Sequence, residues 1–195
     1  GVSGNTGTPN TYPTRAVASG TVIDSVVDHL WVAGYATVGD WGHGLYKKLG
    51  SAPAPAKRWH FQSADTAWWQ LVTEGVRPQH FGLVSAAAVD QTTDMQACLD
   101  YAGLFSVPLQ WNGSFRSDTG IVINYDGTRI EGLSADSTQT GIGKGQLTTV
   151  PGNVNGTLLA VRANNVIINN LNRFIFSHSK HIIFVFGFKR QDRNF

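Results

Sequence analysis

From Val22 to Leu49 short apolar runs alternate with turn residues. That spacing predicts strands. Leu30-Trp31-Val32-Ala33 and Gly44-Leu45-Tyr46 read as two of them, with Gly39-Asp40-Trp41-Gly42 as a turn. Ser51-Ala52-Pro53-Ala54-Pro55 reads as a loop, because two prolines withhold backbone donors. Trp68 and Trp69 fall in a third strand-like run, Phe61 to Leu71, so their rings point to opposite faces. One stretch has helical periodicity. Met95, Cys98, Leu99 and Ala102 recur at i, i+3, i+4 and i+7, which predicts a helix from Thr93 to about Phe105. Thr93 and Gln96 have the spacing of a capping box, and Gly103 sits where a stop signal belongs.

After the helix the chain repeats itself at an offset of 38. Asp126-Gly127-Thr128-Arg129-Ile130-Glu131-Gly132-Leu133 aligns with Asn164-Asn165-Val166-Ile167-Ile168-Asn169-Asn170-Leu171, and Ile121-Val122-Ile123 with Leu159-Ala160-Val161. Each copy reads as strand, Asx turn, strand, with Thr128, Ile130 and Gly132 on one face, matched by Val166, Ile168 and Asn170. So short a strand pair buries its apolar face only by stacking on a like neighbour, which predicts a β-solenoid; a plain β-sandwich is the alternative. The Gly/Ser/Thr/Asn-rich residues 134–156 read as a loop thrown out from one corner. The open end of a first coil needs a cover, and an amphipathic helix just before it supplies one, with Cys98 as a small buried hydrophobe.

Composition agrees with a mainly β chain. Of 195 residues 42% are hydrophobic, enough for a core, and only 14% are charged. Glu74 and Glu131 are the sole glutamates, so long exposed helices are not expected. A net charge of +2 gives no footprint for nucleic acid. A single cysteine excludes an internal disulfide framework and a cysteine-rich zinc site, and no apolar stretch is long enough for membrane insertion. Residues 1–14 read as a flexible arm, 15–77 as a β-rich head, 78–173 as cap helix and first coils, and 174–195 as an off-pattern segment holding six of the ten phenylalanines.

Several strings resemble a known family. Tyr12-Pro13-Thr14-Arg15, Val32-Ala33-Gly34-Tyr35, Gly39-Asp40-Trp41-Gly42, Gly44-Leu45-Tyr46-Lys47-Lys48, Phe61-Gln62-Ser63-Ala64-Asp65 and Trp68-Trp69-Gln70-Leu71 look like the head segment of bacteriophage and prophage tail spikes. Phe81-Gly82-Leu83, then Ala87 to Asp94 and the helix, are similar to the start of their pectate-lyase-like right-handed β-helix, although the family's Gly-Asp-Gly turn is absent. The resemblance covers about residues 12–173. It implies a homotrimer, other tail or baseplate proteins as partners, and contact with host surface polysaccharide, which many relatives cleave. It implies a place in the virion or outside the cell, with a cytoplasmic stage before assembly.

Candidate chemistry is sparse. Glycoside hydrolysis uses two carboxyls flanking the scissile bond. Glu131, Asp118 and Asp136 are the candidates, with Glu131 facing outward because it alternates with Ile130; Asp126, before Gly127, reads as a turn residue. Asp90 and Asp94 bracket the helix start as caps and dipole partners, too few oxygens for calcium, so no metal and no cofactor is expected. Gly42-His43-Gly44 copies a polygalacturonase string without its partner motifs and reads as a turn histidine. Gly141-Ile142-Gly143-Lys144-Gly145 lacks the spacing of a nucleotide loop. Trp41, Trp68 and Trp69 are the candidate sugar-stacking rings; the alternative is core of a small unit. After Arg173 the family pattern ends, and Ile182-Ile183-Phe184-Val185-Phe186 is a β-prone run that predicts pairing with something. The departure predicts a shortened chain, or one whose remaining coils belong to another. A structural and adhesive tail component is the favoured function, with a polysaccharide depolymerase, hydrolase or lyase, as the alternative.

Overall fold

The computed structural model describes residues 10–85, 87–132, 146–148, 159–169 and 173–175. The chain is already held at residue 11. Strand β1 (Thr11–Tyr12) pairs parallel with β2 (His29–Val32), and Thr14 caps helix α1 (Arg15–Ser19) by accepting from Val17 N at 3.3 Å. The last residues of the expected arm are thus part of a sheet edge, fixed by the hydroxyl cap. The five-stranded head sheet continues with β3 (Gly44–Lys48), β4 (His60–Gln62) and β5 (Trp68–Val72), in the order β1-β2-β3-β5-β4.

Alternation sorts the head residues. Leu30, Val32, Tyr46, Trp69 and Leu71 are buried on the inner face, while Trp31, Leu45 and Val72 lie exposed in register across the outer one. Trp68 is half-buried, opposite in facing to the buried Trp69. A 3-10 helix (Pro78–Phe81) leads out of the head and ends on Gly82 at φ 83°, where a Cβ would stand 2.5 Å from the Tyr35 ring.

Three parallel walls follow. One stacks β6 (Leu109–Trp111), β9 (Arg129–Gly132) and β12 (Ile167–Asn169); the second stacks β7 (Ser114–Arg116), β10 (Gln146–Thr148) and β13 (Arg173–Ile175); the third stacks β8 (Ile121–Ile123) and β11 (Leu159–Val161). Ile168 lies directly over Ile130 and Leu159 over Ile121, so the repeated segments are successive floors of a parallel β-helix. The alternative β-sandwich is excluded by this parallel pairing. The turns stack too. Asp126 accepts from Asn164 N at 2.8 Å and Gly127 N donates to Asn164 O at 2.9 Å, with Gly127 at φ 72° and Asn165 at φ 55°.

One expectation is corrected by the second wall. Residues 134–156 are not simply a corner loop, because Gln146–Thr148 is a strand of the second wall, paired with both β7 and β13. The first floor is also tighter than the repeat: Leu109 pairs with Ile130, 21 positions on, against 38 for the next floor. The expected run Ile182 to Phe186 and the glycine-rich string 141–145 lie outside the described residues.

Helix α2 (Thr92–Leu104) covers the first floor with Met95, Cys98, Leu99 and Ala102, all buried. Its capping differs from expectation. The N-cap is Gln91, whose side-chain amide bonds Val84 N and O rather than the helix, and the first turn is tied by Asp90, which accepts from Thr92 N at 3.1 Å and Asp118 N at 3.0 Å. Gln96 does not reach back to a cap. Its amide instead accepts from Val122 N and donates to Val122 O, both at 2.8 Å. Gly103 is needed for close approach, since a Cβ there would lie 2.4 Å from Tyr125 Cβ. The left-handed residue after the helix is Ser106, at φ 54°. Buried side chains of the head, α2 and the first floor form one continuous cluster, from Leu30 through Tyr101 to Ile123.

Candidate functional site

The candidate carboxylates do not converge. Glu131 projects from β9 as expected, half-buried, and its Oε1 lies 3.4 Å from Arg129 Nη2. Asp118 sits at the corner between β7 and β8, where Arg116 holds it bidentately at 2.8 and 3.0 Å. Asp136 lies outside the described residues. Asp94 pairs with Arg58 at 3.0 Å; burial raises its carboxyl above the usual range, and the charges of Arg58 and Arg15 oppose the rise. Among the described residues no three His, Cys, Asp or Glu side chains gather where a metal ion could share them.

Of the three tryptophan candidates, Trp69 is core. It has no exposed surface, its Nε1 donates to Ser63 Oγ at 2.9 Å, and it offers no face to a sugar. Trp41 is 56% exposed. It stands in the Gly39–Gly42 turn at φ 66°, a conformation that costs a bulky residue free energy. Asp40 compensates by accepting from four backbone amides, Tyr35, Ala36, Thr37 and Gly42, at 2.8–3.0 Å. Burial raises the Asp40 pKa and these four bonds lower it; the bonds prevail, and the carboxyl titrates below its ordinary value.

Trp41 is joined to a second exposed ring that sequence reasoning did not single out. Arg77 lies over the Trp41 ring at 5.1 Å, and its backbone N donates to His80 Nδ1 at 3.1 Å. His80 meets His43 edge-on at 6.5 Å, and His43 packs on Trp31 at 5.6 Å. The signal for Trp31 was available, since alternation with the inward Leu30 and Val32 points it outward. His80 is buried, which pushes its pKa down to about 4, with the Arg77 and His43 charges acting the same way.

A cleft of about 710 Å³ lies between the head and the lid helix. Arg15, Lys57 and Arg58 line it from the head, and Thr92, Thr93 and Asp100 from α2. Arg15 donates to the His60 carbonyl and lies over the Tyr35 and Phe61 rings at 5.3 and 5.8 Å. His60 accepts from Lys57 N at Nδ1 and faces Gln70 Oε1 with Nε2, at 3.1 and 3.2 Å, which fixes the neutral Nε2–H tautomer. Its pKa is lowered, first by burial and then by the Arg15 and Lys57 charges, against the bond to Gln70.

No protein-family model and no curated protein matches the sequence. Solved structures do. Full-length tailspike protein 2 of an Escherichia coli O157:H7 bacteriophage superposes with a TM-score of 0.57 at 17% identity, over 80% of this chain and 20% of that one. A tailspike protein of an Acinetobacter baumannii bacteriophage, a capsular polysaccharide depolymerase, gives 0.54 at 15% identity, over 76% and 30%. Pantoea stewartii WceF, a glycan biofilm modifying enzyme with a tailspike-like parallel β-helix fold, gives 0.53 at 16%, over 82% and 25%.

The fold is that of the tailspike parallel β-helix. The chain spans between a fifth and a third of the length of these three structures. In this tailspike fold the Trp41 turn belongs to the head and Glu131 to a wall of the solenoid. No helix among the described residues is long and apolar enough to cross a membrane.

Proposed function

We propose that this chain is a structural and adhesive part of a phage or prophage tail that engages host-surface polysaccharide. The supporting observation is the stack of parallel walls in register, a fold of the kind seen in an Acinetobacter phage tailspike that depolymerises capsular polysaccharide and in a Pantoea enzyme that modifies a biofilm glycan. Attachment is favoured over cleavage because Glu131 and Asp118 are each tied to an arginine, on different parts of the coil. Paired surface acids of this kind lack the desolvated setting of a catalytic acid.

Trp41 is the ring assigned to sugar stacking. Its exposed indole, held on a turn that Asp40 braces, suits the apolar face of a pyranose. Trp68 is a secondary candidate, half-buried on the face of β5 opposite Trp69. The head at 15–77 and the lid and coils at 78–173 form the body of the spike. A homotrimer in the virion tail, beside other tail or baseplate proteins, is the assembly that goes with this role. It is made in the cytoplasm and acts outside it.

Depolymerase activity is the second reading, favoured by the Acinetobacter phage neighbour. Incubation with extracted host capsular polysaccharide or lipopolysaccharide tests both. Binding without new reducing ends or unsaturated products is the expected result. Sugar release that disappears in Glu131→Gln would establish cleavage in its place. Absence of any binding would remove the polysaccharide role altogether.

A further inference from the structure

The cleft between head and lid takes no part in the sugar stacking assigned to Trp41, yet its lining has a consistent chemistry. Three cations, Arg15, Lys57 and Arg58, face it against a single carboxylate, Asp100. The cations differ in how far they are already engaged. Arg15 is spent on the His60 carbonyl and two rings, and Arg58 on Asp94. Lys57 is exposed, and none of the described residues forms an ion pair with its ammonium. The neutral state of His60, fixed by its two ring bonds, keeps the head side of the cleft from carrying a fourth charge.

The opposite wall is polar without being cationic. Thr93 is exposed, and Asp100 accepts from Gln96 at 2.9 Å, leaving a carboxylate edge and a hydroxyl toward the cleft. Carboxylate and hydroxyl oxygens accept from sugar hydroxyls, and lysine and arginine donate to sugar carboxylates. The volume, about 710 Å³, falls within the range of small-ligand sites and exceeds what a single ion needs.

We infer that the cleft between the 56–60 loop and helix α2 is a binding site for an acidic saccharide, with Lys57 as the residue that reads its carboxylate. Arg15 and Arg58 supply a background positive field, Asp100 accepts from ring hydroxyls, and Thr93 accepts from them or donates to them. The inference rests on the polysaccharide role proposed above and adds the ligand's charge and its place on the chain.

Calorimetric titration of the full chain with a glucuronate-containing oligosaccharide, and with its uncharged carboxyl-reduced counterpart, tests it. The acidic form should bind roughly tenfold or more tightly than the reduced form, and Lys57→Glu should remove that preference. Thr93→Asp, which sets a carboxylate on the other wall, should weaken the acidic form by a similar factor. Both positions are exposed, so thermal unfolding of the two variants should match the parent. Equal affinity for the two sugars, or a preference that survives both substitutions, overturns the acidic site. If extracted host polysaccharide still binds in that case, the polysaccharide role stands without the cleft; if the parent chain binds none, both fall together.

Discussion

Gln96 stands against Val122 as a strand would. Its amide oxygen accepts from Val122 N and its amide nitrogen donates to Val122 O, each at 2.8 Å. β8 pairs with β11 on one side only, so Val122 would otherwise leave a donor and an acceptor unpaired beneath the lid. One side chain thereby closes the sheet edge and fixes the helix to it.

Gln96→Leu keeps the volume and loses both bonds. It should lower unfolding free energy by roughly 1–3 kcal/mol, the cost of stranding half-buried backbone groups. Gln96→Glu should be comparably harmful, because it retains the acceptor but opposes Val122 O and Asp100 with a negative charge. Urea denaturation monitored by tryptophan fluorescence measures both.

Acid should weaken the fold through His80. Its folded pKa of about 4 lies below the ordinary 6.5, so the unfolded chain binds the proton more readily. Stability is fully present above 6.5 and falls as pH drops toward 4, by about 3 kcal/mol in all. His60 is displaced in the same direction. Denaturation midpoints between pH 7 and pH 4 should fall steeply in the parent and less steeply in His80→Gln.

Asp40→Ala should release the Trp41 turn. Four amides lose a charged acceptor, and φ 66° at Trp41 loses its support. A loss of at least about 2 kcal/mol is expected, since bonds to a charged group are worth more than neutral ones. Amide exchange at Tyr35, Ala36, Thr37 and Gly42 should accelerate ahead of global unfolding.

Gly103→Ala should destabilise although alanine is the better helix former. The added methyl meets Tyr125 at 2.4 Å, and overpacking of this kind costs roughly 1–3 kcal/mol, more than the propensity gain of about 1 kcal/mol. A melting temperature above that of the parent would show that Tyr125 yields.

Trp41→Ala should leave the melting temperature nearly unchanged, because the ring is exposed, while reducing polysaccharide binding about tenfold. Retention of a glycan co-sedimentation signal at parental strength would remove Trp41 from the binding surface.

The solenoid was legible in the sequence where each floor carries its own marks. Asp126-Gly127 and Asn164-Asn165 announce the turn, and Ile130 and Ile168 the inward face, so the offset of 38 led to the correct stacking. β10 was not legible. Its three residues hold one apolar side chain, Leu147, within a polar stretch, and so short a segment has no period to detect. Gln96 misled because a capping box and an edge clamp ask for the same amide; which is used depends on β8, distant in the chain. Trp68 and Trp69 were separable into faces by alternation, but which face was core required knowing where α2 packs.

Tyr101 joins the lid helix to the head by two kinds of contact. Its ring lies edge-on to Trp59 and Phe81, at 5.6 and 6.1 Å, while its hydroxyl donates to Leu71 O at 2.8 Å. A pivot needs a plane along which neighbouring groups can slide, and here one phenol crosses that plane with apolar and polar attachments at once. The head sheet and the lid helix are therefore tied through a single phenol, by ring packing and by a hydrogen bond at once.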